Sequence, residues 1–267
     1  MEENKIPPHD EYNRGPYEVE IICHRKVPMK DGVYLDIKLW VPMKLKEGEK
    51  VPCILEYIPY RKTDRMVVRD SVRHPWICSH GYIVCRADTR GSGDSDGVLL
   101  DEYLQSELDD GVTLVEYLSS LDGCNGNVGM YGKSWGGFNG LQVAFLSPPA
   151  LKSVISLYST DDRYSDDVHY IGGTMMGADM ISWASYMLAW NCSPPTARSA
   201  VSGINYSAAF NKRIASGGIE PWLDKWVEKQ IRDSYWKHGS ICEDFSRIKC
   251  PVFMIGGWRD CYSNAGL

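Results

Sequence analysis

The stretch "GMYGKSWGGFNGLQVAFL", residues 129–146, places Ser134 between glycines at the point where an apolar run gives way to a helical pattern. A serine nucleophile on a strained turn between a strand and a helix requires this arrangement, because only small neighbours fit there. The turn directs the hydroxyl out of the sheet, and the N-terminus of the following helix favours developing negative charge. The context therefore predicts Ser134 as a nucleophile rather than as an ordinary turn residue.

The pattern G-x-S-x-G occurs a second time, around Ser95 in "RGSGDSDGVLLDEY". So short a pattern also arises by chance, and only its structural context gives it meaning. No strand pattern leads into Ser95, no helix pattern begins on it, and its neighbours are hydrophilic and rich in glycine. We therefore predict that Ser95 belongs to a loop.

A serine nucleophile also needs donors for the oxyanion and a general base. The backbone N–H of Trp135, directly after Ser134, would supply one donor. A second donor usually comes from the loop after an early core strand, which here is "EYIPYRKTD" after "PCIL". Tyr60 is the polar residue of that loop whose hydroxyl could reach an oxyanion. From the residues alone, packing of the loop is the better expectation for it.

The elements that must position these groups are short apolar runs alternating with helical patterns. Residues 18–41 predict two antiparallel strands joined at "KDG", the second alternating Leu35, Ile37 and Leu39 with polar residues. Later runs that predict strands are residues 52–58, 81–88, 126–132, 151–159 and 251–257. Strands that alternate with helices indicate an α/β fold with a mainly parallel sheet.

This alternation breaks between about residues 160 and 247, where tryptophans and tyrosines are mixed with helical and Gly/Pro-rich pieces. We predict that residues 1–159 form the first part of an α/β core. Residues 160–247 are expected to form an inserted, mostly helical cap, and residues 248–267 to return to the core.

Four separated stretches together resemble one family. "EYIPYRK", "GYIVCRADTRGSGDSDG", "GMYGKSWGG" and "KCPVFMIGGWRDCYSNA" are similar, in this order, to the cocaine esterase, α-amino-acid ester hydrolase and X-prolyl dipeptidyl-peptidase group of α/β hydrolases. The resemblance covers nearly the whole chain and is weakest over residues 160–245. It implies an α/β-hydrolase core with a mainly parallel sheet, an N-terminal antiparallel hairpin and an inserted helical cap.

The resemblance also implies a role for individual residues. Ser134 would be the nucleophile, the Trp135 N–H and the Tyr60 hydroxyl would be the oxyanion donors, and Asp260 in "GGWRD" would be the acid of the triad. Asp260 follows a strand pattern, at the edge of the sheet where catalytic residues of open α/β sheets lie. Without the resemblance, a helix cap would be as good an interpretation of Asp260.

The family pattern departs from this sequence at the histidine. In α/β hydrolases the order is serine, acid, histidine, yet every histidine of this chain precedes Asp260: His9, His24, His74, His80, His169 and His238. His169 and His238 fall in the predicted cap, and a structural role is the better expectation for both. We expect the chain to be the N-terminal part of a longer enzyme, with the base beyond Leu267, and to be inactive alone.

The predicted cap supplies candidates for substrate binding. Aromatic side chains at helical spacing usually belong to a core, but those above Ser134 could line an apolar pocket. The candidate aromatic residues are Trp183 and Trp190 in the cap and Trp258 after it. Asp161 and Asp162 in "TDDRYSDD" could receive a substrate ammonium, although a solvated acidic loop is the commoner role for such a cluster.

Composition excludes several classes of partner. The 267 residues are 43% hydrophobic and 24% charged, with a formal net charge of −6 and no long basic run. This balance argues against nucleic acid and anionic membranes. No stretch approaches the ~18 apolar residues of a spanning helix, and the polar N-terminus has no apolar signal segment. A cytoplasmic protein is therefore expected.

The nine cysteines have no compact spacing, and Cys53, Cys85 and Cys250 lie in or beside strand patterns, which indicates buried free thiols in a reducing compartment. There is no CxxC pair, and the histidines are scattered, so we predict neither a metal nor a cofactor. A homo-oligomer is compatible with the sequence.

These patterns predict a serine hydrolase that cleaves small-molecule esters or peptide-like amides through an acyl-enzyme. Within that class, a plain carboxylesterase competes with an enzyme for α-amino esters or peptides. The alternative from another class is a hydrolase-like domain without catalysis that binds ligands or partners in the same pocket.

Overall fold

The computed structural model describes residues 15–196, 206–216 and 220–262. The chain begins with two antiparallel strands, β1 (Val19–Pro28) and β2 (Tyr34–Pro42). Gly32 lies in the connecting turn with a φ of 84°, in the left-handed region that glycine tolerates without strain. The side chains of Leu35, Ile37 and Leu39 are buried as their alternation predicts.

The central sheet has seven strands in the order β1-β2-β4-β3-β5-β6-β9. Its later members are β3 (Val51–Ile58), β4 (Ile83–Asp88), β5 (Cys124–Lys133), β6 (Leu151–Leu157) and β9 (Val252–Ile255). All neighbouring pairs from β4 to β9 are parallel, whereas β2 pairs with β4 antiparallel. Every run that the sequence predicted as a strand is part of this sheet, and the fold class is confirmed.

Three helices cover the sheet: α1 (Val67–Ser79), α2 (Gln105–Ser119) and α3 (Trp135–Leu146). Side chains alternate across a strand, and neighbouring residues of β2 and β4 divide accordingly. Trp40 and Val84 pack with Cys78 of α1, whereas Leu39 and Cys85 join the main core with Leu141 of α3. The sheet is therefore buried on both faces, as parallel strands require.

The segment between β6 and β9 lies over the end of the sheet where β3 and β5 finish. It contains a short hairpin, β7 (Tyr170–Ile171) with β8 (Thr174–Met175), which the sequence did not predict. Among the described residues of this segment, four α-helices follow it: α4 (Gly177–Asn191), α5 (Tyr206–Ala215), α6 (Leu223–Glu228) and α7 (Ser234–Lys237). The boundaries predicted for a separate cap, residues 160–247, remain a prediction.

A second apolar cluster joins this segment to the core. Ile58, Trp135 and Phe138 contribute from the core, and the following residues come from the segment: Met180, Ala184, Met187, Trp222, Trp226 and Trp236. Burial of several large aromatic side chains is a strong driving force for packing. Among the helices described, none is long and apolar enough to cross a bilayer.

Candidate active site

Ser134 stands on the turn between β5 and α3. Its φ of 54° and ψ of −120° are unusual for a residue other than glycine, and its N–H is held by Leu157 O at 2.9 Å and Tyr158 O at 3.1 Å. Strained backbone of this kind persists where the surrounding structure determines it, typically at active sites. At Gly132 a Cβ atom would lie 2.5 Å from the carbonyl carbon of Gly136. The turn therefore needs glycine on its strand side.

The glycines after Ser134 let α3 approach the sheet closely. A Cβ atom at Gly136 would lie 2.9 Å from Ile58 Cγ2, and one at Gly140 would lie 2.9 Å from Val154 Cγ1. Both separations are shorter than carbon atoms tolerate. Both positions therefore require glycine. The hydroxyl of Ser134 stands at the N-terminus of α3.

Two phenol groups reach the Ser134 hydroxyl. The Tyr262 hydroxyl lies 3.1 Å from Ser134 Oγ, and the Tyr60 phenol lies near enough to Ser134 for the serine to lower the pKa of the phenol. Burial is the main cause that raises the pKa of both phenols well above the ordinary value of 10. Both are therefore neutral hydrogen-bond donors at physiological pH. Tyr262 was not predicted from the sequence, where its position two residues after Asp260 was the only signal.

Trp135 provides both a backbone donor and a fixed side chain. As the first residue of α3 it has an N–H without an intrahelical acceptor. Its indole is buried and donates from Nε1 to Glu107 Oε1 at 2.6 Å. The indole also meets the Tyr60 ring edge-on, with 6.3 Å between ring centroids. The two predicted oxyanion donors thus lie on neighbouring, mutually packed residues.

Aromatic side chains of α4 surround Tyr60. Its ring centroid lies 5.1 Å from that of Trp190 and 6.2 Å from that of Trp183. Trp183 also lies 6.1 Å from Trp135. The structure therefore brings two of the predicted substrate-binding residues next to the proposed oxyanion donors. Both are half-buried, so each has surface left for a ligand.

The other predicted substrate-binding residues lie elsewhere. Trp258 is 98% exposed. Asp162 pairs with Arg232 at 3.1 Å and accepts from Ser165 Oγ at 2.9 Å, and Asp161 is half-buried beside it. Within the described ranges, no hydrogen bond or ring contact joins these three residues to Ser134.

Asp167, from the same acidic cluster, acts electrostatically on the two phenols beside Ser134. It is buried and accepts from the Tyr103 hydroxyl at 3.3 Å. Burial, followed by the charge of Glu102, raises the pKa of Asp167 to about 7. Its own charge raises the pKa of Tyr60 and Tyr262. The sequence named the cluster but could not rank its members.

Asp260 lies in the turn after β9. Its N–H donates to Gly257 O at 2.9 Å, and Oδ1 accepts from Tyr262 N at 3.1 Å and from the Cys261 thiol at 3.5 Å. The carboxylate therefore shapes the turn that brings Tyr262 to Ser134. Its role as the acid of a triad stays a prediction.

The described histidines are bound away from Ser134. His169 Nε2 lies 2.9 Å from Glu102 and its Nδ1 lies 3.0 Å from Arg163 O, while His238 Nε2 lies 2.8 Å from Tyr103 O. His24, His74 and His80 contact Asp36, Glu56 and Trp76 O, respectively. His9 lies outside the described residues. The predicted structural roles of His169 and His238 agree with these contacts.

Three groups of side chains have the geometry to offer several ligands to a metal ion: His24/Asp36/Asp94, Glu56/Asp70/His74 and Glu102/Asp167/His169. In each group a buried cation already contacts a carboxylate. These cations are Lys62, 2.6 Å from Asp36, Arg86, 3.4 Å from Asp70, and Arg163, 3.3 Å from Glu102. A protein cation therefore already neutralises part of the negative charge in each group.

The first of these networks anchors the loop that carries Tyr60. Lys62 is fully buried, and its Nζ contacts Asp36 at 2.6 Å, Asp88 at 3.2 Å and Asp94 at 3.3 Å. The Lys62 N–H also donates to Asp88 at 2.9 Å. These contacts hold the backbone two residues after Tyr60 against the loop that follows β4.

The strand order, the strained Ser134 turn and the donors around it define an α/β hydrolase. Residues 31–266 match the X-Pro dipeptidyl-peptidase (S15) family. The chain belongs to this family.

Individual relatives agree with this assignment. The chain is 26% identical over 259 residues to cocaine esterase from Rhodococcus sp. (strain MB1 Bresler), covering 90% of this chain and 44% of that protein. A CocE/NonD family hydrolase from Staphylococcus aureus has a similar structure, with a TM-score of 0.66 and 23% identity over 88% of this chain and 40% of that one. An α-amino acid ester hydrolase also has a similar structure, with a TM-score of 0.64 and 20% identity over 97% of this chain and 48% of that one. The chain thus spans less than half of each of these relatives.

Proposed function

We propose that the protein is a serine hydrolase that cleaves carboxylic esters or amides through an acyl-enzyme. The observation that carries this proposal is the convergence of Tyr60 and the Trp135 N–H on Ser134 at a strained turn. The family membership and the cocaine esterase relative support the same reaction class.

In the proposed reaction, Ser134 Oγ forms a bond to the substrate carbonyl carbon while a base takes its proton. The oxygen that becomes negative receives hydrogen bonds from the Tyr60 hydroxyl and the Trp135 N–H. The leaving alcohol or amine departs with a proton, and water then hydrolyses the Ser134 ester. The family resemblance places the base, a histidine, after Asp260 in the chain. The Asp260 carboxylate would orient that histidine.

Replacing Tyr60 with phenylalanine removes one oxyanion donor and keeps the ring that packs on Trp190. Because the donor acts mainly in the transition state, we expect kcat to fall about 10²–10³-fold with little change in KM. Steady-state hydrolysis of a p-nitrophenyl ester by the whole protein measures both constants. A matched control is Tyr186→Phe, since Tyr186 is an exposed residue of the same aromatic region. Equal kcat values for the Tyr60 variant and the parent would remove Tyr60 from the oxyanion site.

Within this class, we propose that the substrate carries a free α-amino group. The support is the buried carboxylate of Asp167, whose charge acts on both phenols at Ser134. A buried carboxylate that is not fully paired favours a cationic ligand. The similarity in fold to an α-amino acid ester hydrolase agrees with this choice.

Asp167→Asn should lower kcat/KM for an α-amino ester and leave its des-amino analogue nearly unchanged. A paired, buried charge is worth more than about 1 kcal/mol, so the ratio of the two kcat/KM values should fall at least about fivefold. Asp162→Asn is the control, because Asp162 pairs with Arg232 instead. Equal losses on both esters would indicate a structural role for Asp167 and favour a plain carboxylesterase.

We also propose a cytoplasmic location and a homo-oligomeric state. All nine cysteines are free thiols, as in proteins of reducing compartments. Phe253 and Ile255 of the edge strand β9 are exposed at 62% and 36%, apolar surface that either a further copy or a later segment of a longer chain could cover. Light scattering on the purified whole protein measures the oligomeric state, and a monomer at all concentrations would refute that part.

A further inference from the structure

Glu107 is a buried carboxylate whose partners are neutral donors. It lies in the first turn of α2 and is 1% exposed. Its Oε1 accepts from Trp135 Nε1 at 2.6 Å and from Asn139 Nδ2 at 3.0 Å, and its Oε2 accepts from Tyr103 N at 2.9 Å. Burial raises the pKa of Glu107 to about 7. Three converging donors favour the ionised form and use both oxygens.

The donors to Glu107 connect it to the elements that carry the two proposed oxyanion donors, the Trp135 N–H and the Tyr60 hydroxyl. Trp135 carries the backbone donor. Asn139 lies one turn further along α3, and its Nδ2 also donates to Tyr57 O at 2.9 Å. Tyr57 lies at the end of β3, three residues before Tyr60, and its hydroxyl donates to Glu107 O at 3.2 Å. The side chain and backbone of Glu107 therefore join α3 to the strand that leads to Tyr60.

The third donor fixes a strained residue behind the site. Tyr103 has a φ of 57°, and its ring stacks on Phe138 with 5.0 Å between centroids. The same ring lies 5.0 Å from the Trp135 indole. A left-handed conformation costs on the order of 1 kcal/mol or more for a tyrosine, so it requires interactions that hold it. The bond from Tyr103 N to Glu107 is one of them.

We infer that Glu107 is a positioning residue for the oxyanion site: it fixes the Trp135 backbone N–H and the Tyr60 hydroxyl relative to each other. The two donors come from different elements, and a preorganised site loses its advantage when donors shift by a fraction of an ångström. Glu107 bonds to groups on both elements. This inference rests on the proposed function.

The test replaces Glu107 with glutamine in the whole protein. The size of the side chain is kept, but its NH₂ group would face an N–H donor, so at least one of the three bonds is lost. We expect kcat for a p-nitrophenyl ester to fall about 10–100-fold, part of the effect of deleting a donor, with KM within about threefold. The Ki of an alkyl boronic acid, which bonds to Ser134 and places an oxygen between the donors, should rise by the same factor.

A matched control separates positioning from general loss of stability. Asp110→Asn changes a carboxylate one turn along α2 that is equally buried and pairs with Arg90 at 2.7 Å. It should lower the melting temperature comparably while kcat per active site stays within about threefold of the parent. Active sites are counted by titration with a fluorophosphonate.

A second variant keeps the inference falsifiable if Glu107→Gln does not fold. Trp135→Phe leaves Glu107 in place and removes the indole donor together with part of the buried ring, so it should lower kcat in the same direction. Combined with Glu107→Gln, it should cost less than the product of the single losses, because both changes break one interaction. If Glu107→Gln folds, full kcat in both single variants or independent losses in the double variant would overturn the inference. If it does not fold, full kcat in Trp135→Phe alone would overturn it. Loss of activity in Ser134→Ala would leave the proposed function standing in either case.

Discussion

Replacing Ser134 with alanine is expected to lower kcat/KM of the whole protein for esters by about 10⁴–10⁶-fold. The proposed reaction forms its covalent bond at Ser134 Oγ, and loss of a triad nucleophile leaves only the oxyanion donors and substrate positioning. Alanine keeps the backbone N–H, which donates to the carbonyl oxygens of Leu157 and Tyr158. It removes the hydroxyl that contacts Tyr60 and Tyr262. Fold and substrate pocket should therefore persist.

The matched control is Ser95→Ala, the serine of the other G-x-S-x-G pattern. Ser95 is buried, and its Oγ donates to Asp88 O and accepts from Asp36 N, both at 2.8 Å. Its loss should lower the melting temperature, while kcat stays within a few-fold of the parent. Steady-state kinetics, a fluorophosphonate label located by mass spectrometry and thermal unfolding measure these outcomes. Activity in Ser134→Ala within tenfold of the parent would refute the proposed nucleophile.

The strands and the Ser134 turn could be predicted because their causes are local. Each parallel strand is a short apolar run, and the turn is marked by small residues that a close approach requires, as at Gly132 and Gly136. Local pattern is also why the hairpin register follows from Leu35 and Ile37. The hairpin β7–β8 escaped prediction because it is only two residues long on each side.

The remainder of the site depends on contacts between residues far apart in the chain. Tyr262 meets Ser134 across 128 residues, and Glu107 meets Trp135 across 28. Nothing in the local sequence of Glu107 distinguishes it from an exposed glutamate of a helix. The same limit applies to Asp162 and Asp167, which lie in one acidic run but face Arg232 and Tyr103, respectively.

Lys62 is a further residue whose importance only the structure reveals. In the sequence it is one of several charged residues in "EYIPYRKTD", where exposure would be the default expectation. In the structure it is fully buried, and three carboxylates contact its ammonium. Burial alone would raise the pKa of Asp94, but the charge of Lys62 together with hydrogen bonds from Thr196 and Thr63 outweighs burial, and the pKa falls to about 2. Lys62 thus makes the charged form of this network stable.

Lys62→Met is therefore expected to destabilise the protein by about 3–5 kcal/mol, the usual cost of leaving buried charges unpaired. Methionine fills a similar volume, so the loss would reflect charge rather than a cavity. Asp36 and Asp94 would then take up protons on folding. Their pKa values in the folded variant would lie above those of the unfolded chain, so the free energy of unfolding should fall as pH rises from about 4 towards 7. Urea unfolding at several pH values measures this slope.

The parent should show the opposite contribution from Asp94. Its lowered pKa in the folded state adds stability above the unfolded value, and that stability is lost as pH falls towards about 2. The control is Lys26→Met, because Lys26 pairs with the partly exposed Asp96 at 3.3 Å and reaches only the backbone oxygen of Asp94, at 3.0 Å. A partly exposed pair of this kind is worth only about 0–1 kcal/mol. If Lys62→Met loses no more stability than Lys26→Met, or loses it equally at every pH, the buried ammonium does not hold the three carboxylates. The Tyr60 loop would then owe its position to packing instead.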